Sequence, residues 1–233
     1  MTDELKSGLY VVSTPIGNLR DITLRAIDTL KQVELIMCED SRVFSKLAMT
    51  YGIETPRKSL HEHNERQSLQ SYVERLKDGA RFALVSDAGT PVISDPGFPL
   101  IRECRAQNIP VYSVPGACAA ISALSISGLE PDQFTFAGFL PVKSGKKKTT
   151  LESLIALNQT VIVYESPHRI VATLELLKQI APENRISLFR ELTKIYEEML
   201  SGTAEEVLTQ LTPEKTRGEL VLILGRESTR VSA

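Results

Sequence analysis

Twelve residues, Ser86 to Gly97 (SDAGTPVISDPG), hold two prolines, two glycines and two aspartates. They follow the apolar run Arg81 to Val85. Glycine has no Cβ and proline fixes φ, so a strand running into such a turn exposes backbone N–H groups and lets a ligand approach closely. The turn does not stand alone. Other apolar runs end in loops of similar make-up: STPIGNLRD, CEDSR and SVPGACAA in the first half, GFLPVKSGKKK and YESPHR in the second. A different chemistry is offered between Gln133 and Leu151, where Lys143, Lys146, Lys147 and Lys148 occur without any acid. Such a run either forms a solvated loop or meets phosphate groups.

Several common site types are missing. No G-x-G-x-x-G follows an apolar run, so the ordinary dinucleotide fingerprint is absent. GFLPVKSGKK places six residues between Gly138 and Gly145, and Lys146 is followed by lysine, which departs from the phosphate-binding G-x-x-x-x-G-K-[ST] loop. No G-x-S-x-G nucleophile elbow occurs. His61 and His63 form the one close histidine pair, and an i, i+2 pair without a third ligand does not make a metal centre, so no metal is expected. Cys38, Cys104 and Cys118 are scattered and odd in number, which suggests neither disulfides nor zinc.

These loops need strands and helices to hold them. Gly8 to Ser13, Glu34 to Asp40, Arg81 to Asp87 and Pro110 to Gly116 read as strands with little polar alternation, as parallel strands covered on both faces do. Helical stretches lie between them, around Leu24, Ile27 and Leu30 and from Ser68 to Lys77. The composition shifts at Ser127 to Gln133. Beyond it, FTFAGF, TVIVYES, RISLFREL and GELVLILG read as strands, with helices near Ile170 to Ile180 and Ala204 to Leu211. The expectation is two α/β domains, 1–126 and 134–233, joined by a linker at 127–133. In open α/β sheets ligands bind outside the carboxyl ends of the strands, so the loops are expected to line one crevice. The 233 residues suffice for such cores, no apolar run approaches the ~18 needed to span a bilayer, and the start MTDELKSG is unlike a secretory signal. A cytosolic protein is expected. The formal net charge is −2, so any polyanion must be met by a local patch.

The motifs YVVSTPIGNLRDITLRAIDTLKQVELIMCEDSR, LVSDAGTPVISDPG, VYSVPGACAAISALSISGL, FAGFLP, YESPHRI and RELTKIYEE, followed by RGELVLILG, come in one order from Tyr10 to Gly225. Over nearly the whole chain this resembles the ribosomal branch of the tetrapyrrole methylase superfamily, the 2′-O-ribose cytidine methyltransferases of small-subunit ribosomal RNA. Superfamily members acting on tetrapyrroles usually carry a G-x-G-x-G-D turn after the first strand. TPIGNLRD stands there instead, as in the ribosomal branch.

The resemblance implies S-adenosylmethionine as cofactor, held in a crevice between the two domains. Carried over by position, its site would comprise Pro15 and Ile16, the loop residues Asp87, Ala88, Gly89, Thr90, Ile93, Ser94 and Asp95, then Ser113, Val114, Pro115, Gly116 and Ala117. From the second domain, Phe139, Leu140, Leu192 and Gly218 would cover the adenosine. RNA contacts are expected from the four lysines and from Arg20, Arg42, His61, Asn64 and Arg169. Methyl transfer to a ribose hydroxyl needs alignment and eventual proton removal. Candidates for the base are Glu39, Asp40, Glu165 and His168, which the sequence does not rank. The resemblance also implies a homodimer. Two alternatives stay open at this point: a small-molecule methyltransferase, and an RNA- or nucleotide-binding module without catalysis.

Overall fold

The computed structural model describes residues 4–60 and 62–226, without the side chains of residues 62–64, 66 and 67. The chain divides into two compact units at the Cys118/Ala119 junction.

The first unit is built on a parallel sheet of β1 (Gly8–Val12), β2 (Leu35–Cys38), β3 (Arg57–Ser59), β4 (Arg81–Val85) and β5 (Val111–Val114), in the order β3-β2-β4-β1-β5. Alternate residues of each inner strand face opposite layers. Tyr10, Val12, Ile36, Cys38, Ala83 and Val85 pack beneath α1 (Leu24–Gln32) and α2 (Ser41–Tyr51). Leu9, Leu35, Met37, Phe82 and Leu84 pack beneath α3 (Glu62–Lys77) and α4 (Phe98–Ala106). Both faces are therefore covered, which is why β2 and β4 are apolar almost throughout. Adjacent strands β1 and β4 send their chains to opposite layers, the arrangement that opens a ligand crevice at the carboxyl edge of a sheet.

The second unit holds a mixed sheet of β6 (Phe134–Phe139), β7 (Thr160–Glu165), β8 (Ile186–Arg190), β9 (Glu198–Gly202) and β10 (Leu220–Leu224), in the order β6-β7-β10-β8-β9. The neighbours β6 and β7 pair in parallel; β10 pairs antiparallel with β7 and β8, and β9 closes the far edge as an antiparallel partner of β8. Its core gathers Leu151 from α6 (Ser144–Ile155), Ile170, Leu174 and Leu177 from α7 (Ile170–Ile180), and Ala204 and Val207 from α8 (Ala204–Gln210). Thr203 and Glu206 start α8 with a reciprocal capping box. Helix α5 (Ala119–Ile126), which by sequence stays with the first domain, packs on β7 and β10 of this second sheet.

The lysine run departs from expectation. It is not a loop: Ser144 opens helix α6, with Lys143 as its N-cap.

Candidate functional site

In the first unit the loops at the carboxyl ends of β1, β4 and β5 are tied together by short hydrogen bonds. Thr14 and Gly89 form a two-way backbone bridge, N–H to carbonyl at 2.9 and 3.1 Å. The Thr14 hydroxyl donates to the Ser86 carbonyl at 3.2 Å. Ser13 Oγ lies 3.0 Å from Thr90 Oγ1, which in turn donates to the Ala117 carbonyl at 3.1 Å. Thus Thr90 links the Ser86–Gly97 turn to both neighbouring loops. Sequence reasoning missed Ser13 and Thr14, although hydroxyl side chains directly after a strand were the available signal.

Close approach is what the glycines allow here. A Cβ on Gly89 (φ +79°) would sit 3.1 Å from Ile16 Cγ2, and one on Gly116 would sit 3.0 Å from Ser13 Cβ. Pro15 and Ile16 are buried beside this cradle. Further along the turn Val92 (φ 75°) and Ser94 (φ 73°) also take left-handed angles, as does Gly97 (φ 118°). A β-branched residue held at positive φ is strained, and strain of this kind gathers at ligand-binding loops. Ile93, between the two, is exposed. Ala88 lends its carbonyl to the Ser86 hydroxyl at 3.2 Å. The Ser113 carbonyl accepts from Arg25, while the Ser13 N–H donates to Val114 ahead of Pro115.

Acids gather at the same edge. Asp87 Oδ1 accepts the Asp40 N–H at 2.9 Å and so clasps the β2 and β4 loops. Burial, reinforced by Glu39 and Asp87, pushes Asp95 up to about 6, against a hydrogen bond from Ser86 that favours its ionised form. Burial also raises Glu39 and Asp87, each with like charges nearby. Asp40 behaves oppositely: its bonds to Arg42 hold it down at about 2, and it serves as the N-cap of α2. It is poorly suited to taking a proton. Arg42 is spent on that pair but stays exposed. Arg20 is exposed in the short 3-10 turn Leu19–Asp21. His61 and the Asn64 side chain lie outside what is described.

The second unit corrects two expectations. Lys147 does not project with its neighbours: it is buried, because it shares a helix face with Leu151 and Leu154, which pack into the core. Its ammonium donates to Thr173 Oγ1 at 2.8 Å and pairs with Glu165 at 3.4 Å. Glu165 is correspondingly unfit as a general base. Its side chain is wholly enclosed at the end of β7 and accepts from Ser166 N–H (2.8 Å), Arg169 (2.5 Å) and Thr173 Oγ1 (2.7 Å) besides Lys147. Arg169 also donates to the Leu140 carbonyl at 3.0 Å. Thr173 was not foreseen; a threonine inside a helix gives no sign of such a role.

The remaining candidates divide by exposure. Lys143, Lys146 and Lys148 are exposed, Lys148 near Glu152 at 3.9 Å. His168 is exposed, and its backbone N–H donates to Ser166 Oγ at 3.3 Å. Phe139 is more than half exposed, with its ring edge-on to Tyr164, while Leu140 and Leu192 are buried. Gly218 (φ +86°) lets Glu191 lie where a Cβ would be, within 2.6 Å. No group of three or more His, Cys, Asp or Glu among the described residues is arranged to hold a metal ion.

Residues 8–208 match the family model described as Tetrapyrrole (Corrin/Porphyrin) Methylases. A Haemophilus influenzae protein named Ribosomal RNA small subunit methyltransferase I is 50% identical over 96% of this chain and 80% of its own. The chain belongs to the tetrapyrrole methylases, in the branch of the small-subunit ribosomal RNA methyltransferases. It is thus a methyltransferase of this family by sequence. The fold agrees: a crystal structure of diphthine synthase superposes with a TM-score of 0.72 at 13% identity, covering 93% of this chain and 89% of that one. So does the uroporphyrin-III C-methyltransferase of Thermus thermophilus, crystallised with S-adenosylhomocysteine, with a TM-score of 0.64 at 18% identity over 94% and 97%. Among the described residues no helix of this tetrapyrrole methylase is long and apolar enough to cross a membrane.

Proposed function

We propose that this tetrapyrrole methylase transfers a methyl group from S-adenosylmethionine to the 2′-hydroxyl of a cytidine in small-subunit ribosomal RNA. The observation that carries the reading is the 50% identity, over 96% of the chain, to a relative named for that RNA. The first unit's loops suit the cofactor. Glu39, Asp87 and Asp95 are acids whose ionisation is opposed by burial and like charge, with no countercharge among the described residues acting on them, and a ligand bearing a sulfonium and an ammonium supplies one. The Gly89 and Gly116 cradle lets main chain rather than side chains meet it. When bound, S-adenosylmethionine supplies an electrophilic methyl group.

The chain's own residues bind and orient. The hydroxyl and backbone ties through Thr14 and Thr90 fix the cofactor loops before the ligand arrives, so little ordering remains to be done on binding. Lys143, Lys146 and Lys148 hold the RNA by its phosphates. Displacement at an activated carbon depends chiefly on alignment, which this preorganisation supplies. For the hydroxyl proton the suitable acceptors are His168, which is exposed, and Glu39, whose carboxyl is raised above its ordinary range. The enzyme works in the cytosol as a homodimer.

Incubation of purified protein with labelled S-adenosylmethionine and small ribosomal subunits lacking the modification tests the reading. Label should map to one cytidine ribose. Absence of transfer, with cofactor and RNA both bound, would overturn it.

A further inference from the structure

We propose that Glu165 is a positioning residue for RNA binding, one that pins the segment from Leu140 to Lys147 at both ends and thereby presents the exposed lysines as a preorganised set. The proposal rests on the ribosomal RNA reading above. One carboxylate oxygen, Oε1, accepts Arg169 Nη2 at 2.5 Å, and the same guanidinium reaches the Leu140 carbonyl at 3.0 Å through Nη1. The other, Oε2, takes the Thr173 hydroxyl at 2.7 Å and the Lys147 ammonium at 3.4 Å. Leu140 precedes the turn into α6 and Lys147 lies in its first turns, so both anchors of the segment end on one carboxylate. Lys143 and Lys146 lie between the anchors and Lys148 directly follows the second.

Stability alone gives no reason for this arrangement. A buried ion pair is often no more stabilising than apolar side chains of equal volume, so a glutamate enclosed with two cations is better explained by the geometry it enforces. The cluster also carries one net positive charge, since Lys147 and Arg169 share a single acid. That surplus favours an approaching phosphate. Lys147 thus serves the RNA from inside the domain, without touching it.

The test uses Arg169→Lys, which keeps the charge but has no fork to span Glu165 and Leu140, together with Glu165→Gln. Loss of preorganisation should raise KM for the small ribosomal subunit by about fivefold or more in either variant, with the effect in KM rather than in kcat. Because both act through one clamp, the double variant should be little worse than either single one. Amide hydrogen exchange from Val142 to Lys148 should quicken in parallel, a readout that needs no RNA. If Glu165→Gln does not fold, Thr173→Val removes the hydroxyl from the same oxygen and should give a smaller change in the same direction. Wild-type KM and wild-type exchange in Arg169→Lys would overturn the clamp, and so would a loss confined to kcat. A wild-type enzyme that labels no RNA would instead sink the methylation reading, while exchange still decides whether the clamp holds.

Discussion

Gly89 and Asp95 lie in the same turn, and on the proposed reading each commits that turn to the cofactor in a different way. At φ +79° Gly89 stands where an L-residue costs about 1–2 kcal/mol, and its missing Cβ keeps Ile16 in place. In Gly89→Val that cost falls on a chain whose total stability should be of the ordinary 5–15 kcal/mol, so the protein should still fold. S-adenosylmethionine affinity, measured by calorimetry, should drop by at least about tenfold, since 1.4 kcal/mol suffices for that. Affinity at the wild-type level would remove the turn from the site. On the same reading Asp95 acts through charge. Its carboxyl titrates at about 6 in the folded protein against an ordinary 3.8, so the folded state favours the protonated form. The stability it contributes is complete below about pH 4 and is lost as pH rises through 6. Asp95→Asn should therefore melt higher than wild type at pH 8 and at the same temperature near pH 4. Cofactor binding should change in the opposite sense: wild-type affinity should weaken as pH falls through 6, whereas that of Asp95→Asn should be weaker throughout and less dependent on pH, with Glu39 and Asp87 left to titrate. A flat wild-type profile would exclude Asp95 from charge recognition.

At the scale of elements, helix α6 separates two kinds of lysine that the sequence writes as one run. Alanine at Lys143, Lys146 and Lys148 should weaken RNA binding and reduce the slope of log K against log salt by about two to three, as each phosphate contact contributes roughly 0.7–0.9. Alanine at Lys147 should act differently, lowering the melting temperature through the loss of a buried partner of Glu165. Equal melting temperatures for the two variants would argue against this division. The run was legible as basic but not as helical, because Ser144, Gly145 and three successive lysines carry no apolar period until Leu151, Leu154 and Ile155 supply one. The inner strands were legible because burial on both faces leaves unbroken apolar runs. β3 and β9 were not: RKS is a three-residue polar edge, and EMLSG buries only Leu200 and Gly202. The same limit applies to side chains. Gly89 and Asp95 announce themselves by type, whereas the inward turn of Glu165 is set by the pairing of β7 with β10, a relation remote in sequence.

At the scale of the whole molecule, a formal net charge of −2 gives no long-range pull on RNA, so affinity must come from local cations and from the number of them that reach one substrate at once. Two copies double that number. Twofold dimers are by far the commonest closed assembly of soluble chains. Large apolar side chains left at the surface, among them Ile121 and Ile126 on α5 and Leu24 at the start of α1, offer material for an interface, and a stable one buries about 1,200–2,000 Å². A dimer also suits a folded ribosomal particle, which is broader than the reach of three lysines on one helix. Light scattering should then report a mass near twice the 25.8 kDa of one chain. Methyl transfer to small ribosomal subunits should fall more steeply than enzyme concentration once dilution passes the dimer dissociation constant, since each lost partner removes RNA contacts from the copy that remains. Full specific activity in a sample shown to be monomeric at nanomolar concentration would refute the assembly and leave the lysines of one chain to carry the substrate alone.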